Sequence, residues 1–327
     1  MDIEFHYHIT FILARKAGFI ASDSYKIAYS SQYTDDNIYR YFINFEDGSS
    51  YLNEISQTFD ITKPSPKRQK IYPLFHFIPG GEEWAGQNHF KRYRHHVFTT
   101  VPDSTNARAL FDAALQSKDL YRIGIAAHAY ADTWAHQNFL GFKHKLNGKR
   151  FEVIIPNIGH ADFMHEPDRV HNEWKDTRLK NEYVDIKNDT RFIEAAKAIF
   201  LRFRKFTHPG DSDHMAETAY SELKLEDQLK DAMDETYFWG ADEKARTRAY
   251  KKICRELDKK KYKYDPKAWR HDAVEKMPLE SDLFDRYWAG RNFHVSHWFR
   301  FQEAVKAHRD LALKRFEPLF EQLRLPI

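Results

Sequence analysis

The sequence predicts a mainly α-helical protein, and three observations carry that expectation. Gly and Pro number only 12 each in 327 residues, few for a chain built from tight turns. Apolar residues recur at three- and four-residue steps, as at Ile3, Tyr7, Phe11 and Ala14. Cap residues also stand where those periods begin or end, such as Gly18 after the first of them.

The elements follow in order. Residues 3 to 17 read as the first helix. ASDSYKIAYSSQYTDDNIYRYFINF (21 to 45) reads as the second, with Ser22 or Asp23 as N-cap and a break near Ser30 to Asp36. DGSS and KPSPKRQK mark residues 46 to 70 as loop, and YPLFHFIPGG (72 to 81) as an extended apolar stretch ending in a turn. An amphipathic helix over 103 to 117 is capped by Asp103 or Ser104, and the next runs from about 119 to Gly141. FEVIIPN (151 to 157) reads as a short strand or extended loop. Helices resume over 190 to 206 and 216 to 240, then a highly charged segment reads as a solvated helix and linker. The last helix spans about 292 to 322. The expected organisation is one helical domain over 1–327, with a helical insertion or subdomain at about 190–290.

Composition narrows the function. Hydrophobic residues at 42% and charged residues at 30% suit a folded globular chain and argue against disorder. With 51 basic and 48 acidic side chains, a formal net charge of +3 gives no strong signal for nucleic acid or a membrane surface. The N-terminal apolar run is broken by His6, His8 and Arg15, so it is no transmembrane segment. Acids stand there where a signal peptide carries basic residues, and a cytoplasmic protein is expected. Cys254 is the single cysteine, which excludes an intrachain disulfide and a cysteine-based zinc finger. The informative excess is in the 18 histidines.

The strongest motif is GIAAHAYADTWAHQNF (124 to 139), with His128, Asp132 and His136 at four-residue steps in an alanine-rich setting. Residues at i, i+4 and i+8 drift only ~40° per step, so all three share one helix face. His128 and Asp132 can chelate one ion together. His136 lies ~12 Å along the axis from His128 and points to a second ion nearby. Further donors come from four segments: His6 and His8 in FHYH, Asp35 and Asp36 in YTDDN, His76 in LFHFIPGG, and His160, Asp162, His165 and Asp168 in IGHADFMHEPD. Imidazoles and carboxylates without thiolates suit Zn²⁺, Mn²⁺ or Fe²⁺ in a hydrolytic site. Adjacent residues of a helix diverge, so Asp35 and Asp36 divide into a ligand and a supporting partner. His6 and His8 would lie ~200° apart on a helix; His8 is the favoured ligand, with His6 supporting it or taking its place. His165 and Asp168 are spaced to meet one ion from a turn, and Asp162 is the bystander.

With HITFILARKAG, YSSQYTDD, HAYADTWAH and GHADFMHEPD in view, the chain resembles the all-α zinc-dependent phospholipase C and P1 nuclease superfamily. Within that neighbourhood it looks like a bacterial family known only as a domain of unknown function. The resemblance covers residues 6 to 168, about half the chain. It implies a multi-helix bundle with long loops around a buried cluster of two or three zinc ions that activates water against a phosphate ester. Carried over, His76, His128, Asp132 and Asp35 would hold one ion. His136 and His160 with His165 or Asp168 would hold the second, and His8 with a bridging Asp132 the third. Secreted members use their processed N-terminal residue as a ligand, whereas this chain starts at Met1.

The expected function is therefore a metal-dependent hydrolase acting foremost on phosphate esters, with a small phosphoester or phospholipid-like substrate. Asp35 or Asp36 would align or deprotonate the water. Basic groups of KRYRHH (91 to 96) would hold a phosphate oxygen, unless that run is simply a solvated basic face. Two alternatives stand beside this reading, a metal-dependent amidase and a non-catalytic metal-stabilised interaction protein. Open coordination positions would favour an enzyme and fully closed ones the structural role. An HD-type phosphohydrolase finds only His271-Asp272, in a polar Lys-rich region, and a di-iron bundle would need Glu-x-x-His pairs that the chain lacks.

Overall fold

Helix starts and stops follow the local chemistry of the chain. The computed structural model describes residues 1–58, 70–148, 158–235, 242–260, 262–276 and 286–322. A π-helical turn at Glu4–Ile9 runs directly into α1 (Thr10–Ala17), and the Thr10 hydroxyl donates to the Phe5 carbonyl at 3.1 Å across the junction. Gly18 ends α1 at φ +115°, a conformation that a side chain at Cβ disfavours.

Helix α2 (Ala21–Asp36) ends at the break expected near Ser30 to Asp36 and does not continue to residue 45. Asn37 turns the chain there. Its amide donates to the Glu54 carbonyl at 2.9 Å and the Ser56 hydroxyl at 3.2 Å, and it accepts from Gln302 at 2.9 Å. The chain continues as strand β1 (Phe42–Asn44) and β2 (Ser50–Leu52). Where an extended stretch was expected, α3 (Ile71–Phe75) is a short helix, and Pro73 is tolerated because it sits in the first turn.

Ser104 caps α4 (Thr105–Ser117) by accepting from Ala107 N, and Asp119 caps α5 (Leu120–Ala135) by accepting from Tyr121 N and Arg122 N. Helix α5 ends at His136 rather than at Gly141, and Asn138 takes φ +71° just beyond it. The FEVIIPN stretch lies outside the described residues. Strands β3 (Glu173–Lys175) and β4 (Asp185–Lys187) form a two-stranded ribbon that leads into α6 (Asn188–Thr207). Instead of one helix over 216 to 240 there are two, α7 (Asp213–Glu222) and α8 (Leu225–Met233), separated where Lys224 takes φ +45°. Then come α9 (Asp242–Leu257), α10 (Ala268–Ala273), β5 (Val274–Lys276), β6 (Arg286–Ala289) and α11 (His297–Gln322).

Among the described residues the chain is mostly helical with two small sheets, and the sheets are what the sequence pattern did not announce. The larger has the order β2-β1-β6-β5; β1 pairs parallel to β6 with Ile43 opposite Tyr287, and the other neighbours are antiparallel. Helix α5 is the hub. It packs against α2, α4, α6, α11 and α3, and every residue from Ile123 to Ala135 is buried. Its alanines and Gly124 let these neighbours approach closely, which brings side chains from several elements to one end of α5. Among the described residues no helix is long and apolar enough to cross a membrane.

Candidate metal centre

The α5 spacing puts His128 and Asp132 one turn apart on the same face, and three other segments converge on them. The π-turn contributes His6, the last turn of α2 contributes Asp35, and the residue after α3 is His76. Asp132 Oδ2 lies 3.2 Å from His76 Nδ1 and 3.3 Å from His128 Nε2, and Oδ1 lies 3.2 Å from His6 Nε2. Asp35 Oδ1 stands 3.7 Å from both His76 Nδ1 and His128 Nε2. His136 and the 160–168 turn meet at the next position along. His136 Nε2 is 3.0 Å from Asp168 Oδ1, and His160 Nε2 is 3.3 Å from Asp168 Oδ2. Three sets each gather their donor atoms within 4.8 Å: His6, Asp35 and His128; His76, His128 and Asp132; and His136, His160 and Asp168.

Hydrogen bonds on the far side of the rings orient these donors. His76 Nε2 faces the Ser56 carbonyl at 2.9 Å, His136 Nδ1 the His76 carbonyl at 2.8 Å, and His160 Nδ1 the Met164 carbonyl at 2.8 Å. A carbonyl only accepts, so each of those nitrogens carries the hydrogen. In a neutral ring the opposite nitrogen then presents a lone pair, and in all three rings that nitrogen faces a carboxylate oxygen. A gap of about 3 Å between such a nitrogen and a carboxylate is closed by a proton, as in an imidazolium–carboxylate pair, or by a metal ion that takes both as ligands. Backbone carbonyls behind metal-ligating imidazoles are the usual way such rings are held. His6 adds two ring nitrogens and His128 one that are buried without a hydrogen-bond partner.

The electrostatics describe a buried carboxylate–imidazole cluster. Burial, the largest effect on Asp132, opposes ionisation, but His136, the Met1 amine, His128 and His6 together hold its carboxyl well below the usual range. Asp168 is held down in the same way, against its burial, by His160, the Met1 amine and His136. Asp35 goes the other way, because burial outweighs the pull of His128 and His76. Burial also pushes His6 and His160 down. His76 is raised, since Asp132 and Asp35 overcome its burial.

The Met1 amine is the participant that sequence reasoning missed. It lies 2.5 Å from Asp132 Oδ1 and 3.3 Å from Asp168 Oδ1. Burial would lower its pKa, but Asp132, Asp168 and Asp35 raise it to about 11. No local pattern marks a main-chain amine; the available signals were the N-terminal ligand of the secreted proteins that the chain resembles and the candidate ligand His6, five residues on. Phe77 was missed too, and its ring stacks on His136 with centroids 4.4 Å apart.

Several expected residues are placed elsewhere. His8 was the favoured member of the His6/His8 pair, but its ring faces Tyr250 across 6.1 Å, and His6 is the one that meets Asp132. The two leave nearly opposite sides of the helical turn, so only one can face α5. Asp36 turns away from the cluster to accept from Tyr264 and, at 3.2 Å, from Gln32. His165 is exposed at the rim, while Asp168 sits between His136 and His160. Lys91, Arg92 and Arg94 are exposed; Lys91 donates to the Thr177 carbonyl and Arg94 to the Gly86 carbonyl, so these three are surface groups, whereas His95 of the same run is buried.

A cavity of about 400 Å³ opens onto the cluster, with Asp35, His136, His160, His165 and Asp168 among its walls. The Asp35 side chain is 26% exposed, whereas Asp132 is 1% exposed, so Asp35 is a face of the cluster that a ligand can reach. Gln57 Nε2 donates to Asp35 Oδ1 at 3.5 Å from the cavity wall.

Comparison with curated proteins and with solved structures returns no match. A family model covers residues 1–316, and on that match the chain belongs to the family of unknown function DUF6765.

Proposed function

We propose that this chain is a metal-dependent hydrolase of phosphate esters that holds two or three divalent ions, Zn²⁺ in the first place with Mn²⁺ or Fe²⁺ as alternatives. The observation that carries the reading is the arrangement at Asp132 and Asp168: His76, His136 and His160 are locked by backbone carbonyls so that their lone pairs meet carboxylate oxygens. The donor set of imidazoles and carboxylates fits those ions, and the bare Nε2 of His6, which faces Asp132, fits them as well. His76, His128, Asp132, His6 and Asp35 would hold the inner part of the cluster, and His136, His160 and Asp168 the outer part. Bound ions supply a water of lowered pKa and positive charge for the phosphoryl oxygens.

The chain's own groups have distinct tasks. Asp132 is sealed from solvent and organises the imidazoles around it. Asp35 reaches the cavity and is the carboxylate placed to orient a water and take its proton, with Gln57 fixing one of its oxygens. A cavity of about 400 Å³ admits a small phosphoester or a lipid headgroup. The resemblance in HAYADTWAH and GHADFMHEPD favours phosphate over amide substrates.

The test uses protein stripped by chelator and then reloaded with Zn²⁺ or Mn²⁺. It is assayed on phosphomonoesters, phosphodiesters and simple amides. The reading expects ester hydrolysis that is lost on chelation and restored by metal. Amide hydrolysis alone would point to an amidase, and full metal content with no turnover of any substrate would point to the non-catalytic role.

A further inference from the structure

A second cavity, of about 600 Å³, lies beside the β3–β4 ribbon and the start of α6, lined by a different set of residues. Its most unusual wall is Arg191, in the first turns of α6. The residue is 9% exposed, yet its guanidinium makes no hydrogen bond or ion pair with any described residue, and Nη1 is buried without a partner. Its nearest arrangement is a loose stacking over Trp174, 5.8 Å from the ring centroid. Burial holds its pKa down to about 9, against the pull of Asp176 and Glu194. A buried cation without a counter-charge is costly, and proteins rarely keep one unless something else completes it.

Two further side chains of the same cavity are in the same condition. Among the described residues, Thr100 is fully buried with no partner for its Oγ1, and His95 is 5% exposed with neither ring nitrogen bonded. Burial and the neighbouring His89 hold His95 down to about 4, so at neutral pH it offers one donor and one acceptor and no charge. The cavity therefore holds a guanidinium that no described residue pairs directly and several polar atoms waiting for partners. The start of a 20-residue helix adds its own preference for an anion at this end.

The remaining walls give the ligand a body. His89 and Tyr183 meet at a tilt of 43° with ring centroids 4.6 Å apart, and Trp84, Leu179 and Ile186 also line the cavity. Glu182 and Asp185 also line the cavity, and Lys187 is engaged by Glu173 at 2.9 Å. Those acids work against a dianion. We infer that this cavity binds a small organic monocarboxylate with a flat aromatic body, its carboxylate taken by the Arg191 guanidinium and its ring by Tyr183 and Trp84. The planar guanidinium matches a carboxylate through two parallel hydrogen bonds. Gln137 and Asn138 line this cavity directly after His136, so its occupant sits next to the segment that carries a donor of the metal cluster.

The test is titration calorimetry of the full chain with benzoate, benzamide and inorganic phosphate, repeated on R191M, T100V and D132N. Benzoate should bind saturably, with benzamide and phosphate weaker by about tenfold or more. R191M should lose about tenfold or more in benzoate affinity while remaining at least as stable as the parent without ligand, because it removes a buried guanidinium that has no direct partner. If R191M fails to fold, T100V decides, with an expected loss of about threefold or more from one hydroxyl that keeps its shape otherwise. D132N should bind benzoate as the parent does. No benzoate binding, equal binding by R191M, tighter binding of phosphate, or binding lost on chelation or in D132N would each overturn the assignment.

Discussion

Gly124 of α5 lies so close to Ile27 of α2 that a Cβ on the glycine would come within 2.4 Å of the Ile27 carbonyl oxygen. The Ser30 Cβ would be 2.6 Å away, so there is no side-chain tip that can simply swing aside. This contact sets the α2–α5 separation. Four residues beyond Gly124 stands His128, and four beyond neighbouring Ser31 stands Asp35, which meet at 3.7 Å. Gly124→Ala should therefore force the helices apart, lowering stability by about 1–3 kcal/mol in chemical denaturation. It should also reduce metal retention, although no donor is changed.

Asp35 and Asp36 should separate cleanly on mutation. Asp35→Asn removes a carboxylate that faces His76 and His128, and should abolish metal-dependent turnover. Asp36→Asn touches only the contacts with Tyr264 and Gln32, and should leave turnover within about threefold while costing about 1 kcal/mol of stability. Equal loss of activity in both variants would contradict the assignment of Asp35.

Glu4 and Arg246 form a buried bidentate pair, with Nε to Oε2 at 2.9 Å and Nη2 to Oε1 at 2.8 Å. The pair ties the π-turn that carries His6 to α9. Arg246→Met leaves the Glu4 carboxylate buried without that partner and should cost about 3–5 kcal/mol. The double variant Glu4→Gln, Arg246→Met should recover part of the loss, as measured by a double-mutant cycle.

The pH dependence of stability has a readable contribution from His308. It is 1% exposed, donates to the Leu74 carbonyl at 3.0 Å, and is held by burial at a pKa of about 4, against 6.5 ordinarily. The unfolded chain thus binds the proton more readily than the folded one. The neutral ring's contribution is complete above about pH 6.5 and is lost as pH falls towards 4, amounting to on the order of 3 kcal/mol. At pH 7, His308→Leu should cost about 1–3 kcal/mol, since it orphans the Leu74 carbonyl. That deficit should shrink or reverse by pH 4.5 in paired denaturation curves. A difference that stays constant with pH would contradict a buried neutral His308.

Much of the helical framework was legible because caps mark it. Ser104 and Asp119 stand where α4 and α5 begin, and both side chains make the capping bonds. The end of α2 was legible only as a break within Ser30 to Asp36, because its exact stop depends on Asn37 bonding to Glu54, Ser56 and Gln302, the last of these 265 residues away. The strands escaped notice because most are three residues long and owe their existence to partners such as β1 with β6 across the chain. At the candidate site, the joint placement of His128 and Asp132 follows from helical spacing alone. The choice of His6 over His8 does not, since it depends on which side of the π-turn faces α5. Likewise nothing in the 160–168 segment says that Asp168, rather than His165, turns inward. The Met1 amine carries no side-chain signature at all.

The central claim is that the carboxylate–imidazole cluster is a metal centre, and metal content tests it most directly. The protein would be purified without chelator or added metal, and its Zn, Mn and Fe measured by elemental analysis beside Asp132→Asn. The account predicts about two or more equivalents of transition metal in the parent chain and a loss of most of it in the variant. Less than about half an equivalent in the parent, or full retention in Asp132→Asn, would contradict it.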